Sequence, residues 1–287
     1  MEIEVKGHSG CSIDIVREGK NLFIYKCSND PKYLNRLEKQ AQKQIYASKH
    51  EYQHTRIPQI YSINRTENKL IIKMEYVYSK NFIGYFESAG FEQISYFTKA
   101  LILFIEKELK ESPIQSVDIN VMLDKFTDVG NKLHCNPIIY NDKDVLEMYH
   151  QSELLFKKLE QIELPIGICH GDLTFSNILF NGNNYYLIDF LDSFIESPLL
   201  DIIKIRQDSA YLWSQLMYIH EFDYTRLQII SEKIDTDIHE YFSKYDWYKM
   251  YYKPFQLMNF WRILQYAKED KIIEYLKNVI KSILYEF

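Results

Sequence analysis

One stretch constrains the fold of this chain more than any other: residues 170–190 read HGDLTFSNILFNGNNYYLIDF. The apolar run Ile178, Leu179 and Phe180 is followed by Asn181-Gly182-Asn183-Asn184 and then by Tyr185, Tyr186, Leu187 and Ile188. Two apolar or aromatic runs parted by an Asn/Gly turn predict a β-hairpin. Such a hairpin folds Asp189 back beside Asn177, while His170 and Asp172 sit on the loop that leads into it. Four polar side chains are thereby brought to one end of one hairpin, and the rest of the chain must pack so as to hold them there.

That set of groups matches a definite chemistry. An alcohol attacking a nucleotide γ-phosphate needs an acceptor for its proton, and the phosphates need metal ions while the reacting atoms are held in line. The spacing H-x-D-x-x-x-x-N of His170, Asp172 and Asn177, with Asp189 on the next strand, is the order in which a kinase-type site presents a base and two metal contacts. The 287 residues, 46% hydrophobic and 26% charged, suffice for a large core or two lobes. A net charge of −6 gives no basic face for nucleic acid.

The stretches HGDLTFSNILF and LIDFLDSFIESPLLDI resemble the aminoglycoside phosphotransferase and choline kinase superfamily. HGD replaces the HRD of protein kinases, Leu191 follows IDF where protein kinases carry DFG, no A-P-E follows, and Pro198 with Asp201 resembles the family's downstream element. The resemblance implies an α+β, bilobal protein-kinase-like fold, with a small β-rich nucleotide lobe over residues 1–77 and a larger, mainly helical lobe over 78–287. It implies an ATP-dependent kinase, or a GTP-dependent one, working with Mg2+ on a hydroxyl of a small molecule. Asp172 would accept the hydroxyl proton, His170 brace the loop, and Asn177 and Asp189 bind metal.

The remaining nucleotide contacts follow from the same resemblance. Lys26, on a strand from Leu22, takes the place of the phosphate-contacting lysine. On its residues alone Gly7-His8-Ser9-Gly10 is a turn between strands, and the resemblance makes it the loop over the phosphates. A helix over 31–49 should carry the partner of Lys26, either Glu38, the only Glu there, or Gln42. Residues 69–77 form a strand running into the linker, where Glu75, Tyr76 and Val77 offer backbone groups to the base and Met74 lines its pocket. Beyond residue 80 apolar residues recur at helical spacing, at Ile94 to Leu109, Met122 to Leu133, and Leu155, Leu159 and Ile162.

A rival motif, His50-Glu51-Tyr52-Gln53-His54, matches the H-E-x-x-H zinc signature, which requires both histidines on one helix face. Polar neighbours and the Pro58 that follows argue against such a helix. Four cysteines, Cys11, Cys27, Cys135 and Cys169, have no CxxC spacing and read as reduced thiols. With no leader-like N-terminus and no long apolar run, a cytoplasmic protein with no membrane partner is expected.

The acceptor is less well defined. Residues 199–287 hold Asp and Glu in near balance with Lys and Arg, which disfavours a polycationic antibiotic. Aromatic residues for a choline cage are present, but with 24 tyrosines in the chain they do not discriminate. A sugar, amino sugar or amino alcohol, for instance one destined for a surface polysaccharide, fits. An aminoglycoside kinase and a nucleotide-binding regulator without catalysis are the alternatives. Asp192, Glu196 and Asp208, after the metal-binding Asp, are the candidate contacts to acceptor hydroxyls.

Overall fold

In a computed structural model, which describes residues 11–159 and 161–287, the chain has an α+β protein-kinase-like architecture. The predicted 7–10 loop and the strand at 3–5 lie outside the described residues. Strands β1 (Ser12–Glu18) and β2 (Asn21–Ser28) form a tight hairpin in which Gly19 takes a φ of +61° at the first turn position, a conformation that favours glycine. Helix α1 (Pro31–Ala47) begins at Pro31, with the Asp30 side chain accepting the Lys32 N–H. Strand β3 (Thr55–Arg56) is short, and β4 (Ile60–Arg65) and β5 (Leu70–Glu75) complete an antiparallel sheet in the order β1-β2-β5-β4. Leu34, Leu37 and Ala41 repeat at helical spacing along α1 and close a small core with Cys11, Leu70 and Ile72.

The rest is mainly helical. Helices α2 (Phe82–Ser88), α3 (Phe91–Lys110), α4 (Ile119–Cys135) and α5 (Lys143–Lys157) are accompanied by β6 (Ile114–Val117), which pairs with β7 (Ile162–Pro165). The helical reading of Leu155 to Ile162 is therefore corrected. Helix α5 stops at Lys157, and Ile162 and Leu164 face the core of a strand whose Glu163 points outward. The hairpin β8 (Ile178–Asn181) and β9 (Asn184–Leu187) is followed by α6 (Pro198–Ser209), α7 (Trp213–Leu216), α8 (Tyr224–Phe242), α9 (Asp246–Leu264) and α10 (Asp270–Leu284). No helix among the described residues is long and apolar enough to cross a membrane.

Aromatic packing fixes the β8-β9 hairpin. Phe97 of α3 lies 5.1 Å from the Phe180 ring and 4.9 Å from that of Tyr185, and Tyr85 of α2 stacks on Phe180 at 4.3 Å. Both edges of the hairpin are also paired with sequence from the amino-terminal part: β3 runs parallel to β9, and Lys80 forms a two-way backbone bridge with Phe180. The body of the hairpin thus cannot shift without breaking pairing on two sides.

Candidate active site

The catalytic-type loop rests on α6. Ser197 caps this helix and Pro198 opens it, and nearly every residue along it is buried. Asp201, Lys204 and Asp208 fall at i, i+3 and i+7, one face of the helix, and each meets the loop in turn. Asp201 accepts the N–H of His170 at 2.5 Å and that of Gly171 at 2.7 Å. Lys204 Nζ lies 3.1 Å from Asp172 Oδ1. Asp208 accepts the Phe175 N–H at 2.6 Å and is held by the backbone and hydroxyl of Ser214. Burial pushes the carboxyls of Asp201 and Asp208 up to about 6, although the backbone N–H groups they bind favour the ionised form.

His170 is fully buried against the Phe190 ring, 4.2 Å away, and its Nδ1 accepts the Asp172 N–H at 3.2 Å. Burial lowers its pKa to about 4, so the ring is neutral and acts as a brace for the loop. Gly171 has a φ of +89°, and a Cβ there would lie 2.1 Å from the Leu191 carbonyl oxygen. Only glycine lets the loop and the segment at Leu191 approach this closely.

Asp172 and Asn177 are coupled directly. Asn177 Nδ2 donates to the Asp172 carbonyl at 2.8 Å and to its Oδ2 at 3.0 Å. Burial would raise the Asp172 carboxyl, but the charge and hydrogen bond of Lys204 prevail and lower it, so the group is an ionised acceptor. The hairpin returns as expected, with the Ile188 N–H bonded to the Asn177 carbonyl at 3.0 Å. The next residue, Asp189, has a φ of +61°, which is uncommon for a residue with a side chain. Its Oδ1 is 2.7 Å from Lys26 Nζ. Burial would lower the Lys26 pKa, and the charge of Asp189 reverses this, so the lysine stays protonated.

Lys26 therefore has its carboxylate from Asp189 and not from α1. Glu38 is paired with Arg65 on β4, and Gln42 is exposed. The sheet-facing positions of α1 are Leu34, Leu37 and Ala41, which leaves Glu38 turned toward β4 and away from β2. Met74 packs on the small core, and the Glu75 N–H is already bonded to the Gln59 carbonyl at 2.8 Å. The Glu75 N–H is therefore not free for a base, and the Val77 carbonyl accepts the Ser79 hydroxyl at 3.3 Å.

The three candidate acceptor carboxylates are all engaged elsewhere. Asp192 pairs with Arg36 at 3.1 Å, Glu196 binds Lys43 at 2.6 Å and the Ser193 N–H at 2.9 Å, and Asp208 is sealed beneath the loop. The rival histidines bind separate partners, His50 pairing with Glu111 and His54 with the Tyr96 hydroxyl, and α1 ends before either. No cluster of three His, Cys, Asp or Glu side chains able to hold a metal occurs among the described residues. Sequence reasoning missed Lys204, whose signal was a basic residue inside the largely apolar run PLLDIIKI.

Comparison with known proteins bears on the fold. The sequence profile of the phosphotransferase enzyme family (APH) matches residues 137–225, which include the loop, the hairpin and α6. The GDP and kanamycin complex of APH(2")-IIia has a TM-score of 0.67 at 12% identity, with 100% of this chain and 93% of that one covered. Amicoumacin kinase hAmiN, in complex with AMP-PNP, has a TM-score of 0.62 at 12% identity, covering 99% and 88%. A choline/ethanolamine kinase family protein from Mesorhizobium loti has a TM-score of 0.59 at 9% identity, covering 99% and 88%. No curated protein sequence matches significantly. The chain thus has the fold of these small-molecule kinases and resembles the aminoglycoside phosphotransferase and choline kinase superfamily.

Proposed function

We propose that the protein is an ATP-dependent phosphotransferase that transfers the γ-phosphate to a hydroxyl of a small metabolite. The observation that carries this reading is the joint placement of Asp172, Asn177, Asp189 and Lys26 at the mouth of one hairpin. Asp172 is oriented by Lys204 on one oxygen and by Asn177 on the other, and takes the hydroxyl proton as the new P–O bond forms. His170, neutral and buried, keeps the loop backbone in place. Lys26 contacts the α- and β-phosphates once a nucleotide competes for it with Asp189, and the linker at Tyr76 and Val77 takes the base. In this reading residues 1–77 form the nucleotide lobe and 78–287 the catalytic lobe, in a cytoplasmic setting where ATP is at hand.

The site suits Mg2+. Asn177 commits its Nδ2 to Asp172 and leaves Oδ1 as an acceptor, while Asp189 has its second carboxylate oxygen outside the Lys26 pair. Two hard oxygen donors beside incoming phosphates are the ligand type that magnesium takes, with water completing its shell. When bound, the metal would offset phosphate charge.

The test is Mg2+-dependent ADP release by the purified chain against sugars, amino alcohols and aminoglycosides, beside Asp172→Asn. Acceptor-stimulated release that falls by about 10³-fold or more in Asp172→Asn is expected. Unchanged turnover in that variant would sink the reading. Nucleotide binding without transfer to any acceptor would favour a regulator that keeps the fold alone.

A further inference from the structure

Beside Gly171 and Lys204 lies a hollow of about 10 Å³, room for a single water-sized group, lined also by Asn259 and Arg262, with Phe194 and Phe255 on its walls. No carboxylate lines it. Arg262 projects from α9 in an otherwise apolar run, is partly buried, and rests over the Phe194 ring with its guanidinium carbon 5.2 Å from the centroid. Its guanidinium makes no hydrogen bond or ion pair with any described residue; desolvation lowers its pKa, and the charge of the nearby Asp172 carboxylate opposes this. The other buried arginine of this lobe shows what a structural guanidinium looks like. Arg206 binds both oxygens of Asp235 at 2.8 Å and the Tyr248 hydroxyl at 2.8 Å.

A partly desolvated guanidinium with no bonded partner has donors that a ligand can complete. Lys204 adds a second positive charge, 3.1 Å from Asp172, so the hollow and the proton acceptor share one wall. The Asn259 amide, which donates to Gln207 Oε1 at 2.8 Å, keeps its own oxygen for a hydroxyl. With Lys204 already paired to Asp172, Arg262 is the charge left without a bonded partner, and an anion meets there a planar fork of donors that suits carboxylate or phosphate.

We propose that the acceptor carries an anionic group, a carboxylate or a phosphate, which Arg262 binds beside Lys204 while a hydroxyl of the same molecule meets Asp172. The inference rests on the phosphotransferase reading above and names the substrate class of that site. It separates this chain from a kinase for polycationic acceptors, whose pocket would need carboxylates where this one has Arg262 and Lys204.

The experiment uses the full chain with ATP and Mg2+ and matched acceptors that differ only in charge: glycerol, ethanolamine, glycerate and glycerol 3-phosphate, and glucose, glucosamine, gluconate and glucose 6-phosphate. Alongside, glycerate and glycerol 3-phosphate are titrated calorimetrically into protein loaded with a non-hydrolysable ATP analogue. Anionic members should bind and show the lowest KM, and the carboxylate and phosphate arms decide between the two groups. Arg262→Met should raise that KM about 30-fold or more without a matching fall in kcat, and Arg262→Lys should recover part of it. Three outcomes overturn the inference: neutral or amino acceptors as good as the acids, a loss in Arg262→Met equal for all acceptors, or no anion binding that depends on Arg262. The second outcome would place Arg262 on the transferred phosphoryl group instead. Failure of the phosphotransferase reading shows separately, as ADP release indifferent to Asp172→Asn.

Discussion

The carboxylates beneath the catalytic-type loop and those above it have the same chemistry and opposite surroundings. Asp201 and Asp208 are sealed in the floor and spend their oxygens on backbone N–H groups of His170, Gly171, Phe175 and Ser214. Asp172 and Asp189 face the cleft and each holds a lysine, Lys204 and Lys26. A carboxylate that accepts main-chain bonds fixes where the chain runs. A carboxylate paired with a flexible lysine holds an exchangeable charge, which a nucleotide or an acceptor can displace. In the proposed reading the floor therefore carries shape and the cleft carries reaction, and single substitutions should separate the two.

The largest effects are a pair of opposite outcomes. Asp172→Asn should lose about 4 kcal/mol of transition-state stabilisation, seen as turnover, while its melting temperature stays near that of the parent. Asp201→Ala leaves the buried His170 and Gly171 N–H groups without an acceptor, at about 1–3 kcal/mol each. A denaturant midpoint clearly below that of Asp172→Asn is expected. Equal midpoints would mean that the floor does not set the loop.

Next in size is a pH effect that also divides floor from brace. His170 is held at about 4 in the fold, below the ordinary value near 6.5, so the unfolded chain binds its proton first as pH falls. Its contribution of about 3 kcal/mol is present above pH ~6.5 and is lost by about pH 4. Asp201 and Asp208, raised to about 6, act in the other direction. Their contribution is full below about pH 4 and is lost as pH rises through about 6. Whole-protein stability mixes these slopes, so the measurement is the stability difference between the parent and His170→Gln. It should widen from pH 4 to pH 7, and a constant difference would show that the ring is not held neutral.

The balance between cleft and floor also explains what the sequence made legible. The hairpin was readable because two continuous apolar or aromatic runs and a Gly182 turn are local signals, and the return of Ile188 onto Asn177 followed from them. The fold followed from the resemblance of the same stretch. The floor was not readable: Asp201, Lys204 and Asp208 share a helix face, but only tertiary packing says that this face meets a loop some thirty residues earlier in the chain. For the same reason Asp208 was taken for an acceptor contact. Arg262 escaped because its meaning lies in having no partner, and a sequence cannot show an unmet hydrogen bond. Ile162 was misread because one apolar residue at helical spacing after a helix looks the same whether the helix continues or a buried strand begins.

Lys26 and Glu38 supply the last two tests, which sharpen the cleft side. Lys26→Met removes the only cation bonded to Asp189 among the described residues, and should weaken nucleotide use about tenfold or more, read as KM for ATP. Glu38→Gln should do almost nothing to that KM. Its carboxylate is bound to Arg65 on the outer strand of the small sheet, partly exposed, and the loss of such a pair is worth about 0–1 kcal/mol of stability. A lysine oriented by an α1 carboxylate would lose its position in Glu38→Gln and raise the ATP KM as much as Lys26→Met does. A lysine oriented by Asp189 alone would not notice. The second outcome is expected, because Glu38 is bound to Arg65 and the carboxylate that reaches Lys26 comes from the end of the hairpin.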